Sequence, residues 1–372
     1  MVANAVGFAL DAASFLVPLA LMDGGPKPPD LATTSIKMYM GHGAKDAAGK
    51  CPHIALWDND GNRIGQSHPD KKCHIDEGNV YQVSIPHSQT SPPDSQADPY
   101  YVMLSQLDDD AICIASVAVN GIKIQGSFFG DTGYMCGQSW FPSDNAIGSD
   151  FSKPRCVWLD ANHDNDINAR AISFHLNDLN PDTEKMAQYR ENQDTLCRSS
   201  PRFSFWGNLL PDGIPPFFLP KLEYIGDNGR DKDINRILDD PNNPVDKGVY
   251  LHQGEPKSHK RQTPRQFGRR AKGANHDPSH LIITDRPDAG AREVCEHPTS
   301  YGWDIANTHE NLFCDMEHKQ LYPLCDAAIT QSCFDVEAKT LVPGMQKRDE
   351  HFEKLRFGRS YSTEATWTDK KA

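Results

Sequence analysis

The sequence lacks the short motifs by which the commonest enzyme classes are identified. It contains no CxxC pair, no GxSxG elbow, no P-loop, no GxGxxG motif and no HExxH motif. Their absence argues against thioredoxin-like and zinc-ribbon sites, against the usual hydrolase nucleophile, and against the common nucleotide-binding folds. The missing motifs therefore argue against several familiar activities and indicate none.

Basic residues are also in short supply. Lysine and arginine number 38 against 51 aspartates and glutamates, so the formal net charge is −13. An acidic surface repels nucleic acid and anionic lipid, and we therefore expect no nucleic-acid partner. We also expect no transmembrane segment, because the apolar run Ala5–Met22 is too short and is interrupted by Asp11.

Residues 1–29 form a segment of their own. Two interpretations of its apolar run stay open. It is either the remnant of a secretion signal, although no basic residues precede it, or an amphipathic helix that docks on the core. The glycine- and proline-rich stretch Gly24–Pro29 then serves as a linker.

Residues 30–179 are predicted to form an antiparallel β-sandwich. Short apolar runs, several of them alternating with polar residues, are separated by turn residues and by no helical crossover. The pair Asn120-Gly121 between two apolar arms predicts a type I′ hairpin. The expected core residues are Trp57, Ile112, Ile114, Val157 and Phe174. The predicted strands are Ser35–Met40, His53–Trp57, Val80–Ile85, Tyr100–Leu107, Ala111–Val119, Ile122–Gln125, Cys156–Leu159 and Ala171–Leu176.

Residues 180–372 are predicted to form an irregular α+β region that contains disulfides. A proline directly after Asn180 indicates the start of a helix that runs to about Leu196. Residues 257–272 hold seven basic residues and no acid, which is typical of a mobile, solvated loop. The fold class predicted for the whole chain is therefore mainly β, a sandwich followed by this α+β region.

Ten cysteines, an even number, favour disulfides and an oxidising compartment. Cys113 lies in an apolar, strand-like run and is expected to be a buried free thiol, with Cys197 as its alternative partner. The cysteines favour a secreted or cell-surface protein. Pairing of nearest neighbours predicts the disulfides Cys51–Cys73, Cys136–Cys156, Cys295–Cys314 and Cys325–Cys333.

Oxygen-bearing side chains occupy alternate positions at Asp160, Asn162, Asp164 and Asp166. Calcium loops use this spacing because several hard oxygens must converge on one ion. The glycine usual at the sixth position of such a loop is missing, and Ala171 stands where its bidentate acid would be. Two interpretations therefore stay open: a calcium site, with calcium as the cofactor, or a polar turn between two strands.

Histidines and carboxylates recur together in the last hundred residues of the sequence. A zinc or acid–base site requires such side chains to converge, and histidine titrates near physiological pH. Their spacing in the sequence does not bring them together, so convergence would have to come from the fold. The candidate catalytic residues are His280, Asp285, His297, His309 and Glu310.

Several motifs resemble an uncharacterised family of secreted fungal proteins. They are IALWDNDGNRIG at 54–65, DDAICIA at 109–115, GDTGYMCGQSW at 130–140, PRCVWLD at 154–160, NLFCDM at 311–316, YPLCD at 322–326 and CFD at 333–335. The resemblance covers roughly residues 35–180 and 290–336, and it implies a secreted or cell-surface origin but no activity. Cys51 and Cys73 are an addition to the family pattern. The strand region is also loosely similar to the lipoxygenase-type, PLAT-like sandwich.

Two functional hypotheses from different classes follow. The first is a secreted binding or effector-like protein that recognises a surface ligand (a carbohydrate, a lipid or a protein) or a small molecule. The strand pattern, the cysteines and the missing catalytic motifs support it. The second is an enzyme of an unrecognised family, a hydrolase or a cyclase with or without a metal, whose His/Asp/Glu-lined site lies between the domains. The polar carboxyl half of the chain supports that alternative.

Overall fold

The computed structural model describes residues 32–44, 47–90, 97–147, 151–163, 167–180, 183–207, 220–225, 231–240, 242, 279–342 and 361–368. The predicted N-terminal segment, residues 1–29, and the predicted basic loop, residues 257–272, lie outside them. The described residues divide into two compact units. The first unit holds residues 32–42 and 47–242, and the second holds residues 43–44 and 279–368.

Thirteen strands and four short helices make up the described part of the first unit. The helices are α1 Gly130–Met135, α2 Leu176–Leu179, α3 Thr183–Glu191 and α4 Asp194–Cys197. The strands are β1 Thr33–Met40, β2 Gly49–Lys50, β3 His53–Trp57, β4 Arg63–Ser67, β5 His74–Ile75, β6 Val80–Pro86, β7 Tyr101–Ser105, β8 Ile112–Asn120, β9 Gln125–Phe129, β10 Trp140–Phe141, β11 Cys156–Leu159, β12 Ala171–His175 and β13 Phe203–Trp206.

Eleven of these strands form two antiparallel sheets that pack face to face, and β2 and β5 pair in a separate two-stranded sheet. The first sheet has the order β10-β11-β8-β1-β6, with β9 also paired to β8, and the second has the order β13-β12-β7-β3-β4. The ring of Phe128 from the first sheet stacks on Phe174 and Phe203 from the second, with centroids 5.7 and 5.8 Å apart. The antiparallel sandwich is therefore confirmed, and the chain is mainly β as predicted.

The second sheet is buried on both of its faces. Every residue of β3, β7 and β12 is buried, although alternate side chains of a strand point to opposite faces. One face meets the first sheet. On the opposite face, which we call the outer face, Trp57 and Tyr101 cluster with Leu222 and Leu238. All five predicted core residues are buried, but Trp57 belongs to this outer cluster, which the chain after residue 199 covers.

The hairpin at Asn120-Gly121 exists, but its turn differs from the prediction. Asn120 pairs with Gln125, so the loop holds four residues, and neither Asn120 nor Gly121 has the positive φ that a type I′ turn requires. The predicted strand Ile122–Gln125 is therefore mostly turn. A Cβ at position 121 would approach Pro99 Cδ to 2.6 Å, so a tertiary contact explains this glycine.

Two further boundaries differ from the sequence prediction. The helix expected to reach Leu196 is split into α3 and α4, because the Asn192 side chain accepts a hydrogen bond from the Asp194 N–H at 3.1 Å. The first domain was expected to end at residue 179, yet β12 and β13 lie on either side of that position and pair with each other. The first unit therefore continues past residue 179.

The described part of the second unit contains one short helix, α5 Ala291–Glu296, and seven strands. Strands β14 to β17 and β20 form one sheet in the order β17-β16-β15-β14-β20, in which β14 runs parallel to β15 and β20. Leu281, Phe313 and Phe334 are among the residues of its core cluster. The strands are β14 His280–Thr284, β15 Asp304–Asn307, β16 Leu312–Asp315, β17 Gln320–Pro323, β18 Cys333–Asp335, β19 Thr340–Val342 and β20 Thr363–Trp367.

All ten cysteines form disulfides. Cys51–Cys73, Cys295–Cys314 and Cys325–Cys333 pair as predicted. The predicted pair Cys136–Cys156 is wrong, and so is the expected free thiol at Cys113. Cys113 and Cys156 are joined because they lie on the adjacent strands β8 and β11, and Cys136 after α1 joins Cys197 at the end of α4.

Peptide mapping under non-reducing conditions should recover the Cys113–Cys156 and Cys136–Cys197 links. Replacing Cys136 and Cys197 together with serine should lower the free energy of unfolding by about 4 kcal/mol, because their separation of 61 residues closes a long loop. The matched control is removal of Cys325–Cys333, whose separation is only 8 residues and which should cost about 2–3 kcal/mol. A peptide linking Cys136 to Cys156 would contradict this connectivity.

Candidate functional site

A polar cleft of about 630 Å³ opens where several turns of the first unit meet. The register places Trp57 beside Tyr101 and Tyr101 beside His175, so the end of β3, the start of β7 and the end of β12 lie side by side. The β8–β9 turn lies next to these strand ends and completes the cleft. The cleft is lined by Asp58, Asn59, Ala97, Asp98, Tyr100, Lys123, Ile124, Gln125, Asn177 and Asn180.

Asp98 holds the β8–β9 turn that forms one wall of the cleft. Its Oδ1 accepts hydrogen bonds from the backbone N–H groups of Lys123 at 2.7 Å and Ile124 at 3.3 Å. Its Oδ2 accepts no hydrogen bond from the described residues. One carboxylate oxygen therefore shapes the wall, and the other retains its capacity to accept a hydrogen bond.

Asp58 shapes the rim of the cleft and uses both of its oxygens for this. Oδ1 accepts the backbone N–H groups of Asp60 at 2.9 Å and Asn62 at 2.8 Å, and Oδ2 accepts the Asn62 side-chain amide at 2.9 Å. This Asx turn closes the β3–β4 hairpin. Asp58 thus fixes the position of its neighbour Asn59 in the lining.

The remaining polar side chains of the lining offer both donors and acceptors. Lys123 and Gln125 are exposed, and their side chains make no hydrogen bond or ion pair with the described residues. On the opposite wall the Asn180 amide donates to Asn177 Oδ1 at 3.4 Å. The cleft therefore presents an ammonium group, a carboxylate and several amides beside the half-buried ring of Tyr100.

A buried histidine–aspartate pair lies beside this cleft. His175 Nδ1 donates to Asp178 Oδ2 at 2.7 Å, and both side chains are almost completely buried. The opposite ring nitrogen, Nε2, is buried and has no hydrogen-bond partner. The ring of Tyr100, which lines the cleft, stacks on His175 with centroids 6.3 Å apart and planes 17° apart.

Asp178 stays ionised despite its burial. Burial alone would raise the pKa of this carboxyl group, but the hydrogen bond and electrostatic interaction with His175, together with the charges of Lys185 and Arg202, outweigh the effect of burial. The pKa of Asp178 is therefore lowered to about 2. Tyr189 donates a further hydrogen bond to Asp178 Oδ1 at 3.3 Å.

Arg202 joins this pair to the segment that covers the outer face. Its guanidinium is fully buried and donates to the Asp231 carboxylate, to the Thr195 carbonyl at 2.7 Å and to the Ile234 carbonyl at 3.0 Å. Its Nε makes no hydrogen bond but lies 3.9 Å from Asp178 Oδ1, so these bonds and the two carboxylates together compensate the burial of the guanidinium. We call Asp178, Lys185, Arg202 and Asp231 the buried ionic network.

Two tyrosines complete the surroundings of His175. Their hydroxyls, on Tyr101 and Tyr224, are 2.7 Å apart, and their ring centroids lie 4.7 and 5.8 Å from the His175 centroid. Burial raises the pKa of both hydroxyls, so both remain protonated at neutral pH. Together with Tyr100, these two rings surround the imidazole with aromatic contacts.

The predicted calcium loop is only partly within the described residues. Asp160 is fully buried, and its Oδ1 accepts the Asn162 N–H at 3.3 Å. The Asn162 amide donates to the Asp109 carbonyl at 3.2 Å. Asp164 and Asp166 lie outside the described residues, so the calcium site stays a prediction.

The histidine and carboxylate candidates of the second unit occupy separate positions. His280 begins β14 and bonds Thr363 Oγ1 at 2.7 Å, whereas Asp285 lies just beyond the other end of that strand. His297 follows α5 and accepts the Thr299 N–H at 3.3 Å. His309 and Glu310 both donate backbone N–H groups to Asn307 Oδ1, and the Glu310 carboxylate accepts the Arg292 N–H at the start of α5.

Among the residues that the structure describes, no three His, Cys, Asp or Glu side chains come together in a group that could hold an ion. No helix among the described residues has the length and the apolar character that a membrane crossing requires.

Sequence reasoning missed the cleft and the histidine–aspartate pair. His175 and Asp178 are three residues apart at the end of a predicted strand, and this spacing is the only local feature of the sequence that indicates the pair. The residues that line the cleft come from four separate segments of the chain, so only the register of the sheets brings them together.

No family model and no curated protein matches the chain. It shows weak similarity to two solved structures of LOX variants. One is 12% identical over 26% of this chain and 14% of that chain, with a TM-score of 0.20. The other is 10% identical over 45% of this chain and 27% of that chain, also with a TM-score of 0.20. The chain thus spans well under a third of either LOX, and similarity at this level supports no functional argument.

Replacing Asp178 with asparagine should destabilise the first unit by about 3–5 kcal/mol, because it leaves buried cations without their counter-charge. In the wild type, the lowered pKa of Asp178 stabilises the folded state. This contribution is complete above pH 3.8, the pKa of the carboxyl group in the unfolded chain, and is lost as the pH falls towards about 2. Urea unfolding between pH 5 and pH 2 should therefore show a shallower pH dependence in the variant, by up to about 1.4 kcal/mol per pH unit.

The matched control for this change is Asp194→Asn. Asp194 pairs with Arg198 at 3.0 Å on the surface, where both side chains are nearly half exposed. Its loss should cost less than about 1 kcal/mol. Equal pH dependence in the wild type and in Asp178→Asn would contradict the proposed role of the buried carboxylate.

If the loop at residues 160–168 binds calcium, CaCl2 should raise the melting temperature of chelator-treated protein. At a hundredfold excess over the dissociation constant, a bound ligand adds about 2.7 kcal/mol to the stability. Asp164→Ala should abolish this response and leave the melting temperature without calcium unchanged. A melting temperature that does not respond to CaCl2 would favour the polar turn.

Proposed function

We propose that the chain is a binding protein whose first unit recognises a neutral carbohydrate in the polar cleft. The observation that supports this is the lining, in which amides, two carboxylates and an ammonium group surround a volume of about 630 Å³ beside a tyrosine ring. Small-ligand sites commonly have volumes of this order. The proposal selects one of the three ligand classes that the sequence leaves open.

The chemistry of the lining favours a ligand rich in hydroxyl groups. Each sugar hydroxyl both donates and accepts, and Asp98 Oδ2, Gln125 and Asn180 offer the matching groups. An acyl chain would bury these polar groups without replacing their hydrogen bonds to water, which is costly. The cleft therefore suits a carbohydrate better than a lipid tail.

Tyr100 supplies the apolar contact that such a ligand needs. Sugar rings carry C–H faces that pack on aromatic side chains, and Tyr100 is half-buried in the lining. Its contacts with His175 and Tyr224, each with a centroid separation of 6.3 Å, hold its ring in place. A fixed ring loses little conformational entropy on binding, which favours affinity.

The charges of the lining argue against an anionic ligand. Asp58 and Asp98 contribute two carboxylates and Lys123 one ammonium group, on a chain whose net charge is −13. Phosphate groups or acidic sugars would meet a negative potential there. Five disulfides are compatible with an oxidising compartment, so we place the protein outside the cell or on its surface, in line with the resemblance to secreted fungal proteins.

One observation favours the enzyme alternative. His175 and Asp178 have the imidazole–carboxylate arrangement of a general base, and Nε2 has no hydrogen-bond partner. However, the imidazole is fully buried, and Tyr100 covers it where the cleft begins. A ligand in the cleft would therefore meet the tyrosine first, and binding without turnover is the function that this arrangement supports best.

An array of neutral oligosaccharides, followed by calorimetry on the best ligand, tests the proposal. Gln125→Ala and Tyr100→Ala should each weaken binding by about tenfold, or about 1.4 kcal/mol, because each removes a contact to the ligand. Gln82→Ala, an exposed glutamine on β6 that does not line the cleft, is the matched control and should bind like the wild type.

Three results would overturn this assignment. The first is the absence of binding to any neutral oligosaccharide. The second is binding that neither cleft variant weakens, and the third is binding to vesicles of anionic lipid alone. Release of new reducing ends from a bound oligosaccharide, lost in His175→Gln, would instead establish the enzyme alternative.

A further inference from the structure

Two histidines face each other across neighbouring strands at the end of β3 away from the cleft. His53 begins β3 and is fully buried, and His68 follows β4 and is exposed. Ile54 pairs with Ser67, so the antiparallel register places His53 opposite His68. Their ring centroids are 5.2 Å apart and their planes are inclined by 45°.

The ring of His68 has the tautomer that a metal ligand needs. Its Nδ1 lies 3.3 Å from the carbonyl oxygen of Pro69, and because a carbonyl only accepts hydrogen bonds, Nδ1 carries the proton. The lone pair is then on Nε2. Metal-binding histidines commonly donate their second nitrogen to a backbone carbonyl in this way, which orients the ring.

A third donor atom lies on the same face of the hairpin. Gln66 pairs with Ala55 and is two residues before His68, so its side chain lies on the side of the sheet that carries both imidazoles. Its Oε1 is buried and has no hydrogen-bond partner. A buried amide oxygen in this state is costly, and a cation would remove that cost.

We propose that His53, His68 and the Gln66 amide oxygen form a binding site for a divalent transition metal, and that Zn²⁺ is the ion it fits. Two imidazoles on a tetrahedral zinc ion, with Zn–N bonds of about 2.0–2.1 Å, have ring centroids about 5 Å apart. Square-planar coordination would bring adjacent rings about 0.7 Å closer together, which fits this pair less well. Water would complete the coordination.

The donor set also limits which ions bind and how tightly. Imidazole nitrogens suit zinc, whereas calcium and magnesium require carboxylate-rich sets of oxygen ligands. The neighbouring sulfurs of Cys51 and Cys73 are joined in a disulfide and offer no thiolate. With two imidazoles and a neutral amide, we expect a dissociation constant in the micromolar range. The site is independent of the carbohydrate proposal, because it shares no residue with the cleft.

Calorimetric titration of the folded protein with ZnCl2, after treatment with a chelator and desalting, tests the site. His68→Ala should weaken binding at least about tenfold, and because His68 is exposed the variant should keep the melting temperature of the metal-free wild type. The matched control is His74→Ala, since His74 is an exposed histidine on the short strand β5. Co²⁺ added to the wild type should give the intense visible absorption of a tetrahedral ion, and zinc should displace it.

The proposal fails if the wild type shows no zinc binding at millimolar ZnCl2. It also fails if His68→Ala and His74→Ala weaken zinc binding equally, since binding would then be spread over surface histidines. A weak, six-coordinate Co²⁺ spectrum would overturn the assigned geometry. None of these results depends on whether an oligosaccharide binds the cleft, so the two proposals are tested separately.

Discussion

The structure of the first unit depends on one buried carboxylate, Asp178, whose negative charge must be compensated by neighbouring groups. Asp178 is fully buried and ionised, so hydrogen-bond donors and positive groups must converge on it from several parts of the chain. His175 comes from the end of β12, Lys185 from α3 and Arg202 from the approach to β13. Arg202 in turn holds Asp231. One ion therefore determines where α2, α3 and the covering segment sit, and with them one wall of the cleft.

The second sheet explains why polar groups are concentrated on its outer face. A sheet that is buried on both faces needs a third layer, and here the chain after residue 199 supplies it. This layer is held by polar contacts, such as those of Arg202, as well as by Leu222 and Leu238. The outer face consequently carries His175 near one end of the sheet and His53 at the other end of β3. The length of β3, from His53 to Trp57, separates the histidine pair from the cleft by about 13 Å.

The disulfides illustrate how sheet topology overrides distance along the chain. Loop-closure entropy grows slowly with length, so it gives only a weak preference for the nearest cysteine. Strands β8 and β11 are neighbours, and this adjacency brings Cys113 and Cys156 to a Cα separation of 5.3 Å. Cys136 therefore pairs with Cys197, which is 61 residues away in the sequence. Where no such adjacency competes, as for Cys325 and Cys333, the nearest-neighbour rule holds.

The sequence by itself determined the elements whose cause is local. Alternating and continuous apolar runs predicted most strands of the sandwich, with β3 and β11 correct to the residue, because burial of one or both faces imposes that pattern. Only the tertiary structure decided the four-residue turn after Asn120, which depends on Pro99 and the Asp98 carboxylate. It alone assembled the cleft, the buried ionic network and the pair His53–His68. These sites join residues far apart in sequence, and their geometry follows from strand register and from compensation of buried charge, neither of which a local pattern records.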